Sequence, residues 1–459
     1  MKKPGHIDKK SVVESDLFDG PWYKNAYPDV ALSKIAPIDH FMRFGLTLDR
    51  DPGPQFCTTF YRHAVDRDFL DIDLPLIHYL KHPDATPDED LVLKAVMQVL
   101  MQGHTATARG LADRYLPPRL QHTMAALDAN IAHLAQATDQ WQAAINCYLD
   151  FNDLAPLILR PADDVLGRLH CGALPKVATG PLISVIMPVW NAEKTVATAI
   201  NSLLEQTWQP LEIIAIDDAS TDNSWSILHK IAARDDRIKL LRNACNVGPY
   251  VSKNLGLAMV TGAYITGHDA DDWAHPERLA AHMRFAISRP DPLPVSMPYC
   301  LRMQSDGFFA HVRRAGAATS YDGWMQSAPI GTLFETAFLR ENLGYWDSIR
   351  FGADTEMLLR ARHVLGRGPL EIPLLSMICL DAPDSLSNNT LHGTRSADGR
   401  LSQSRRTYLG SVRDWLLDHP TQHPALLSFP QKQSRYAVSK AMQVSIADVT
   451  RNIVVNRNQ

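Results

Sequence analysis

Three carboxylates stand close together in Asp269-Ala270-Asp271-Asp272, directly after a short apolar segment. Acidic side chains at this spacing repel one another, and a divalent cation would relieve that repulsion. Their hard oxygen ligands suit Mg²⁺ or Mn²⁺. The alternative is a solvated acidic turn that caps a helix starting near Pro276. The acidic cluster alone does not decide between these interpretations, so the elements that position it have to be considered.

The composition is that of a globular protein, with 45% apolar residues, 21% charged residues and a net charge of −4 over 459 residues. That length suffices for two or three cores. The weak acidity gives no reason to expect nucleic acid as a partner. The six cysteines lack metal or redox spacing, which favours reduced thiols. Without a secretion signal or a run of ~20 apolar residues, we expect a cytoplasmic protein, with peripheral contact to the inner membrane left open.

Residues 14–85 contain a two-copy repeat in which matching residues lie 38 positions apart, as Tyr23 and Tyr61 do. Each copy has a proline followed by apolar residues, which predicts a short helix with proline in its first turn. His40 and His78 match one another as well. They could be paired metal ligands, but we favour a local hydrogen bond for each histidine inside its repeat.

Residues 89–170 have apolar side chains at helical spacing, which predicts a mainly helical region. Residues 171–181 are rich in small residues and proline and are predicted to form a linker. From residue 182 the pattern changes to alternating strands and helices. Strands are predicted at 182–189, 211–217, 238–241 and 264–267, and Asn191 is predicted to cap the first helix between them.

The alternation of strand and helix predicts a parallel sheet with right-handed crossovers. Ligands of such sheets bind beyond the carboxyl ends of the strands. Polar residues follow three of the predicted strands at that edge, namely Trp190-Asn191, Asp217-Asp218 and the acidic cluster. Three separate segments therefore deliver chemically useful side chains to one edge of the sheet.

The ordered motifs resemble glycosyltransferase family 2. They are Pro188-Val189-Trp190-Asn191, Asp217-Asp218-Ala219-Ser220-Thr221-Asp222, Asn246-Val247-Gly248, Lys253-Asn254-Leu255-Gly256, Asp269-Ala270-Asp271-Asp272-Trp273 and Gly352-Ala353-Asp354-Thr355-Glu356. The resemblance covers about residues 182–390. It implies an α/β fold of the GT-A (Rossmann-like) type for a nucleotide-sugar transferase domain at 182–395, with a mainly α-helical N-terminal region before it. Residues 396–459 are left as a C-terminal helical extension.

The resemblance also assigns the nucleotide contacts. Asp218 is expected to contact the base, and a carboxylate can accept the N3–H of uracil or thymine but finds no such donor on neutral cytosine. Pro188, Val189 and Trp190 are expected to form the base-binding ledge, with Trp190 offering a face for stacking. Asn246 belongs to the same nucleotide-binding set. Lys253 stands where arginine is commoner and is expected to act as a point charge near phosphate.

By the same resemblance, Asp269 and Asp271 form the metal-binding Asp-x-Asp, with Asp271 the direct ligand of Mn²⁺ or Mg²⁺ and Asp269 acting through the ribose or a water. Asp272 is left as a ligand or a helix cap. Asp354 is assigned as the general base, which takes the proton of the acceptor hydroxyl. Its alternative role is a helix cap, and Glu356 is the fallback base.

The C-terminal part gives a weaker signal. A final amphipathic helix is predicted around Tyr408 and Trp415. Arg395, Arg405 and Arg406 could place positive charge over the diphosphate, but solvated arginines are the safer expectation. Arg360 is expected to pair with an acid and brace its helix.

These residues lead to one main hypothesis and one main alternative. A third interpretation, a nucleotidyltransferase, would usually have a Gly/Lys-rich phosphate loop, which this sequence does not show. The main hypothesis is an inverting, metal-dependent glycosyltransferase that moves a sugar from a UDP-sugar (or dTDP-sugar) to a glycan or lipid-linked glycan acceptor in bacterial surface polysaccharide synthesis. The alternative is a non-catalytic, nucleotide-binding scaffold of a glycan-assembly complex, which the long N-terminal half and Ala353, where the family often has glutamate, would suit.

Overall fold

The computed structural model describes residues 9–65, 74–288, 293–367, 370–382, 385 and 401–456. The chain forms two compact units. One unit consists of Met1–Tyr148 and Val312–Trp324, and the other consists of Leu149–His311 and Met325–Gln459. This grouping is coarser than the five-part division expected from the sequence, and that finer division stays a prediction.

The first unit is built mainly from helices, most of them short. Their bounds are α1 Lys9–Glu14, α2 Gly20–Ala26, α3 Pro28–Leu32, α4 Pro37–His40, α5 Thr58–Ala64, α6 Pro75–Lys81, α7 Val92–Met101, α8 Thr105–Tyr115, α9 Met124–Leu134 and α10 Thr138–Phe151, the last of which continues past the unit boundary. Proline occupies the first turn of α4 and of α6, as the repeat predicted. Its fixed φ and missing N–H cost nothing there.

The two copies of the repeat use the same hydrogen bond. The Tyr23 hydroxyl lies 3.3 Å from Nδ1 of His40, and the Tyr61 hydroxyl lies 2.9 Å from Nδ1 of His78. Both pairs span 17 residues along the chain. The prediction of a local hydrogen bond for each histidine is therefore confirmed.

The first two strands of the second unit, β1 (Leu157–Leu159) and β2 (Leu169–Cys171), form a small antiparallel pair. The helices before it end at Phe151. The sequence prediction of helix up to residue 170 is thus wrong after Phe151. Pro156 and Pro161 flank β1, and proline lacks the N–H that a helix interior needs.

The centre of the second unit is a sheet whose first four strands are parallel, in the order β5-β4-β3-β6. These strands are β3 Ile183–Val189, β4 Leu211–Asp217, β5 Ile238–Arg242 and β6 Tyr264–Gly267, and the connecting helices are α11 Val196–Leu204, α12 Ser224–Ala232 and α13 Pro249–Leu257. Every residue of β3 and β4 is buried. Burial on both faces explains why these strands are mostly apolar, and the two polar residues near their starts, Ser184 and Glu212, hydrogen-bond to one another.

The rest of the sheet is mixed, and the sequence did not predict it. The order continues from β6 through β10, β8 and β11 to β7, with β9 paired to β8. The bounds are β7 Asp272–Ala274, β8 Val295–Met303, β9 Gln326–Ser327, β10 Leu333–Glu335 and β11 Glu371–Leu380, and the helices of this part are α14 Arg278–Ile287, α15 Thr336–Phe338, α16 Ala353–Leu365, α17 Gln403–Asp418 and α18 Ile446–Asn456. The predicted α/β class with a mainly helical N-terminal region is confirmed, and so is the helix at Tyr408 and Trp415.

Within the described ranges, none of the helices combines the length and the apolar content that crossing a lipid bilayer would require.

Candidate active site

Three neighbouring parallel strands deliver the candidate residues to one edge. Trp190 follows β3, Asp218 follows β4, and Asp269 lies two residues after β6. The backbone N–H of Asp218 donates to the carbonyl of Val189 at 2.7 Å, which joins the ends of β3 and β4. The strand order reverses between β3 and β6, and such switch points open a crevice at the carboxyl ends of the strands.

Asp218 is 2% exposed and organises the loop that follows β5. Its carboxylate accepts the backbone N–H of Val247 at 3.0 Å, that of Gly248 at 2.7 Å and the side-chain amide of Asn243 at 2.8 Å. Burial raises the pKa of Asp218, and these hydrogen bonds oppose the shift. Gly248 has a φ of 83°, a backbone conformation that residues other than glycine rarely adopt. Contact with a base stays a prediction for Asp218.

The predicted base-binding ledge combines buried and exposed residues. Pro188 and Val189 are buried in β3, whereas Trp190 is 57% exposed at the edge of the sheet. Asn191 does not cap the next helix, because α11 begins only at Val196. Instead Asn191 has a φ of 48°, and its side-chain oxygen accepts the backbone N–H of Thr221 at 2.9 Å. This hydrogen bond holds the turn next to the exposed Trp190.

Asn246 lies in the loop held by Asp218. Its side-chain amide donates to the Asp218 carbonyl at 3.3 Å, and its side-chain oxygen accepts from the Arg350 guanidinium at 2.8 Å. Sequence reasoning missed Arg350, since nothing in the local pattern relates residues 104 apart. A direct nucleotide contact of Asn246 stays a prediction.

The three carboxylates of the acidic cluster differ in burial and in role. Asp269 and Asp271 are half-buried. Burial raises the pKa of Asp269 to about 7, the charge of Lys253 opposes this shift, and the charges of Asp271 and Asp354 add to it. Burial also raises the pKa of Asp271. Carboxylates crowded in this way are stabilised by a nearby cation.

Asp272 has a different role from its two neighbours. It is 5% exposed within β7, and its carboxylate accepts the backbone N–H of Leu380 at 3.1 Å. It is no helix cap, because the flanking residue before α14 is Glu277. Asp272 therefore ties β7 to the end of β11.

The two half-buried carboxylates fit a divalent cation that shares its coordination with substrate. Among the described residues, no group of three or more His, Cys, Asp and Glu side chains could hold a metal by itself. Mg²⁺ in nucleotide sites is commonly held by one or two carboxylates together with substrate phosphates. Asp271 and Asp269 supply that number of ligands, so the donor set suits Mg²⁺ or Mn²⁺ bound together with a diphosphate.

Asp354 lies in the first turn of α16, where the helix dipole favours a negative charge. It does not cap the helix, because the flanking residue is Gly352. The Nζ of Lys253 donates to one oxygen of Asp354 at 2.9 Å, and the Tyr250 hydroxyl donates to the other at 3.2 Å. Lys253 itself is 3% exposed. The structure thus gives Lys253 a partner in Asp354, while its contact with phosphate stays a prediction.

These contacts connect the residues predicted to bind the nucleotide with Asp354, the predicted general base. Gly248, whose N–H is held by Asp218, is followed directly by α13, and α13 carries Tyr250 and Lys253. Lys253 contacts Asp354, and both charges act on Asp269. Asp218, Lys253, Asp354 and Asp269 are therefore linked in one cluster in the second unit.

Arg405 is the C-terminal arginine that faces this cluster. It is half-buried, and its guanidinium lies 5.0 Å from the centre of the Phe351 ring. Burial lowers the pKa of Arg405, and the neighbouring Tyr250 and Asp354 oppose the shift. The expectation of a solvated side chain is therefore wrong for Arg405 but holds for the exposed Arg406. Arg395 lies outside the described residues.

Tyr250 is a second site residue that sequence reasoning missed. It lies one helical turn before Lys253 on α13, so the i, i+3 spacing of a helix could have pointed to it once Lys253 was chosen. Arg302 on β8 is a third, because its charge acts on Asp269 and Asp271. No local signal distinguishes Arg302 from other strand arginines.

Glu356, the fallback base, is excluded by its burial. Glu356 and Arg360 are both fully buried and form an ion pair, with a 3.0 Å bond from Arg360 Nη2 to Glu356 Oε2. Arg360 also donates to the carbonyls of Tyr345 and Ala425, at 2.9 and 3.0 Å. The expectation that Arg360 braces its helix is confirmed.

We expect Arg360→Met to lower the free energy of unfolding by about 3 kcal/mol or more, because it leaves the Glu356 carboxylate buried without its partner. Chemical denaturation of both proteins measures this difference. Arg362→Met on the same helix is the matched control, since Arg362 is only partly buried. A loss in Arg360→Met no larger than in the control would contradict the structural role.

The comparison with known families agrees with this geometry. Residues 184–302 match the family described as "Glycosyl transferase family 2". The chain contains a glycosyltransferase family 2 domain. Its fold is the GT-A-like α/β arrangement that the sequence motifs predicted, here with a mixed central sheet.

Individual relatives match about a quarter of this chain. An uncharacterised glycosyltransferase of Haemophilus influenzae is 43% identical over 107 residues, which is 23% of this chain and 43% of that protein. UDP-Glc:alpha-D-GlcNAc-diphosphoundecaprenol beta-1,3-glucosyltransferase WfaP of Escherichia coli is 34% identical over 104 residues, which is 23% of this chain and 41% of WfaP. The chain therefore spans less than half the length of these curated relatives.

Among solved structures, S. aureus TarS 1-349 in complex with UDP-GlcNAc is similar at 18% identity and a TM-score of 0.36, over 44% of this chain and 60% of that one.

Proposed function

We propose that this chain is an inverting, metal-dependent glycosyltransferase that uses a UDP-sugar or dTDP-sugar to extend a glycan or lipid-linked glycan in bacterial surface polysaccharide synthesis. The observation that carries the proposal is the single cluster that joins Asp218, Asp269 and Asp354 through α13. The family 2 domain supports the reaction class. The name of WfaP, which contains UDP-Glc and a diphosphoundecaprenol acceptor, supports the donor and the acceptor class.

The base would bind between Trp190 and Asp218. Trp190 has an exposed indole face on which a pyrimidine can stack. Asp218 supplies a carboxylate for an N3–H, a donor that uracil and thymine have and neutral cytosine lacks. The backbone bonds from Val247 and Gly248 keep that carboxylate in place before the nucleotide arrives.

The diphosphate would bind at Asp271 and Asp269. A bound Mg²⁺ or Mn²⁺ supplies Lewis-acid stabilisation of the negative charge on the departing nucleoside diphosphate. Asp271 is the carboxylate expected to bind the cation directly, with Asp269 beside it. Arg405, whose charge interacts with Asp354, adds positive charge to the same cluster.

Asp354 would act as the general base. A sugar hydroxyl is a poor nucleophile, so a positioned carboxylate accepts its proton while the bond to the anomeric carbon forms. Attack from the face opposite the leaving diphosphate inverts the anomeric configuration. Lys253 and Tyr250 would orient the Asp354 carboxylate through their hydrogen bonds.

A thermal-shift screen of UDP, dTDP, GDP and CDP, each with and without Mn²⁺, tests the proposal. A ligand that binds only the folded protein raises the midpoint of unfolding. We expect the largest increase with UDP or dTDP in the presence of Mn²⁺. The absence of any nucleotide effect, with or without the metal, would overturn the proposal.

The exposed indole of Trp190 gives a specific prediction. We expect Trp190→Ala to weaken UDP binding about tenfold, because stacking of a base on an aromatic side chain contributes ~1–3 kcal/mol. Calorimetric titration with UDP and Mn²⁺ measures this change. Tyr321→Ala, which removes an exposed aromatic side chain in the other unit, is the control. Equal UDP affinity in all three proteins would remove Trp190 from the site.

One observation favours the scaffold alternative. Lys253 and Tyr250 already hydrogen-bond to both oxygens of the Asp354 carboxylate. If these bonds hold the carboxylate away from the acceptor hydroxyl instead of towards it, the chain would bind nucleotide without turnover. Nucleotide binding with no sugar transfer across a broad panel of donors and acceptors would favour the scaffold.

A further inference from the structure

The last described helix, α18, contacts the loop that Asp218 holds. Asn452 on this helix is fully buried. Its side-chain oxygen accepts the backbone N–H of Ala244 at 2.8 Å and that of Cys245 at 3.2 Å, and its side-chain amide donates to the Cys245 carbonyl at 3.0 Å. One side chain thus binds three backbone groups of the segment immediately before Asn246.

A second residue of α18 acts on the same loop. The side-chain amide of Asn456 donates to the side-chain oxygen of Asn243 at 3.2 Å. With its oxygen held there, Asn243 directs its amide nitrogen to Asp218 at 2.8 Å and to Ser252 at 3.0 Å. Asn456 therefore supports the amide orientation in which Asn243 donates to the candidate base-binding carboxylate.

The segment before α18 supports the other side of the loop. The backbone N–H of Arg350 donates to the Met442 carbonyl at 2.9 Å, and Ile349 pairs with Gln443 in an isolated antiparallel bridge. Arg350 in turn holds the side chain of Asn246. The C-terminal segment therefore supports the loop directly through α18 and indirectly through Arg350.

We propose that Asn452 is a positioning residue of the nucleotide site, and that α18 is part of the machinery that distinguishes a uracil or thymine nucleotide from a cytosine nucleotide. This inference rests on the nucleotide site proposed above. The Asp218 carboxylate can select an N3–H donor only while the loop 243–248 keeps it oriented. Asn452 gives the backbone groups of Ala244 and Cys245 three hydrogen-bond partners, which hold this part of the loop in place.

Two substitutions separate the bonds that Asn452 makes. Asn452→Leu keeps the size of the side chain and removes all three hydrogen bonds. Asn452→Asp keeps the oxygen that accepts from Ala244 and Cys245 and removes the donor to the Cys245 carbonyl. We expect UDP affinity to fall about tenfold in the leucine variant and less in the aspartate variant.

Val449→Ala is the matched control on the same helix. Val449 is 2% exposed and packs in the core, so its truncation weakens α18 without removing a bond to the loop. Dissociation constants for UDP and CDP are measured with Mn²⁺ by titration calorimetry, at a temperature where circular dichroism shows every variant folded. We expect the preference for UDP over CDP to fall in Asn452→Leu and to stay unchanged in Val449→Ala.

An unchanged UDP affinity and an unchanged UDP preference in Asn452→Leu would overturn the inference, even if that variant melts at a lower temperature. If the leucine variant does not fold, the preference for UDP over CDP is measured in Asn452→Asp and Asn456→Ala instead. A wild-type preference in both of these variants would overturn the inference. Wild-type protein that binds no nucleotide would instead overturn the proposed function, and this inference with it.

Discussion

Replacing Asp354 by asparagine is expected to lower kcat for sugar transfer by ~10²–10⁴-fold, the range that a positioned general base contributes. Asparagine has nearly the same shape but cannot accept the proton of the acceptor hydroxyl. The affinity for UDP and Mn²⁺ is expected to change little, because Asp354 contacts neither the base nor the diphosphate in the proposed mechanism. Initial rates with a saturating donor and calorimetric titration of UDP measure the two quantities.

The matched control for this change is Asp236→Asn, the same substitution at an exposed position. It is expected to keep the wild-type rate. A loss of UDP affinity in Asp354→Asn as large as the loss of rate would mean that the ion pair with Lys253 organises the donor site. Full transfer activity in Asp354→Asn would remove this residue from the mechanism.

Asp271→Asn is expected to lower transfer by about 10³-fold or more, because stabilisation of the leaving diphosphate by a metal is worth several kcal/mol. In the wild-type protein, Mn²⁺ should raise UDP affinity and a chelator such as EDTA should abolish transfer. In Asp271→Asn, UDP affinity should no longer depend on Mn²⁺. Titration of UDP with and without Mn²⁺, in both proteins, measures this coupling.

Asp272→Asn is the control for the metal prediction, since it changes the next residue in the same way. Asparagine can still accept the N–H of Leu380, so Asp272→Asn should keep the Mn²⁺ dependence of UDP binding. If Asp271→Asn retains that dependence and Asp272→Asn loses it, the assignment of the metal ligand is wrong. Wild-type transfer that survives EDTA would contradict metal dependence altogether.

The parallel half of the sheet could be predicted because its signals are local. The strands β3, β4, β5 and β6 are short, mostly apolar runs followed by polar residues, and their predicted bounds differ from the observed ones by no more than a residue. The predicted helix cap at Asn191 failed for a non-local reason. Its side chain is taken by the N–H of Thr221, which lies 30 residues further along the chain.

The mixed half of the sheet could not be predicted for the same physical reason. The pairing of β8 with β11 joins segments more than 70 residues apart, and β7 has only three residues. Neither feature has a periodicity that a sequence window can detect. The supports of the candidate site are equally non-local. The Lys253–Asp354 ion pair spans 101 residues, and the bonds from Asn452 to residues 244 and 245 span 208 and 207.

The types of the site residues were therefore predictable, but the contacts that orient them were not. Carboxylates at strand ends are recognisable because few structural roles need them there. The partners of those carboxylates come from the loop 243–248, from α13 and from β11, and only the folded chain shows which of these segments reaches which acid. Asp272 illustrates the difference, since its position beside Asp271 in sequence gave no sign that it binds the backbone of Leu380.

A crystal structure of the chain with UDP and Mn²⁺ tests most directly whether these acids serve one substrate. We expect uracil N3 within hydrogen-bond distance of the Asp218 carboxylate, and Mn²⁺ in direct coordination with an Asp271 oxygen and with the diphosphate. Asp354 should face the position of the sugar from the side opposite the diphosphate. UDP bound at another surface, or a metal ion remote from Asp271, would contradict the account.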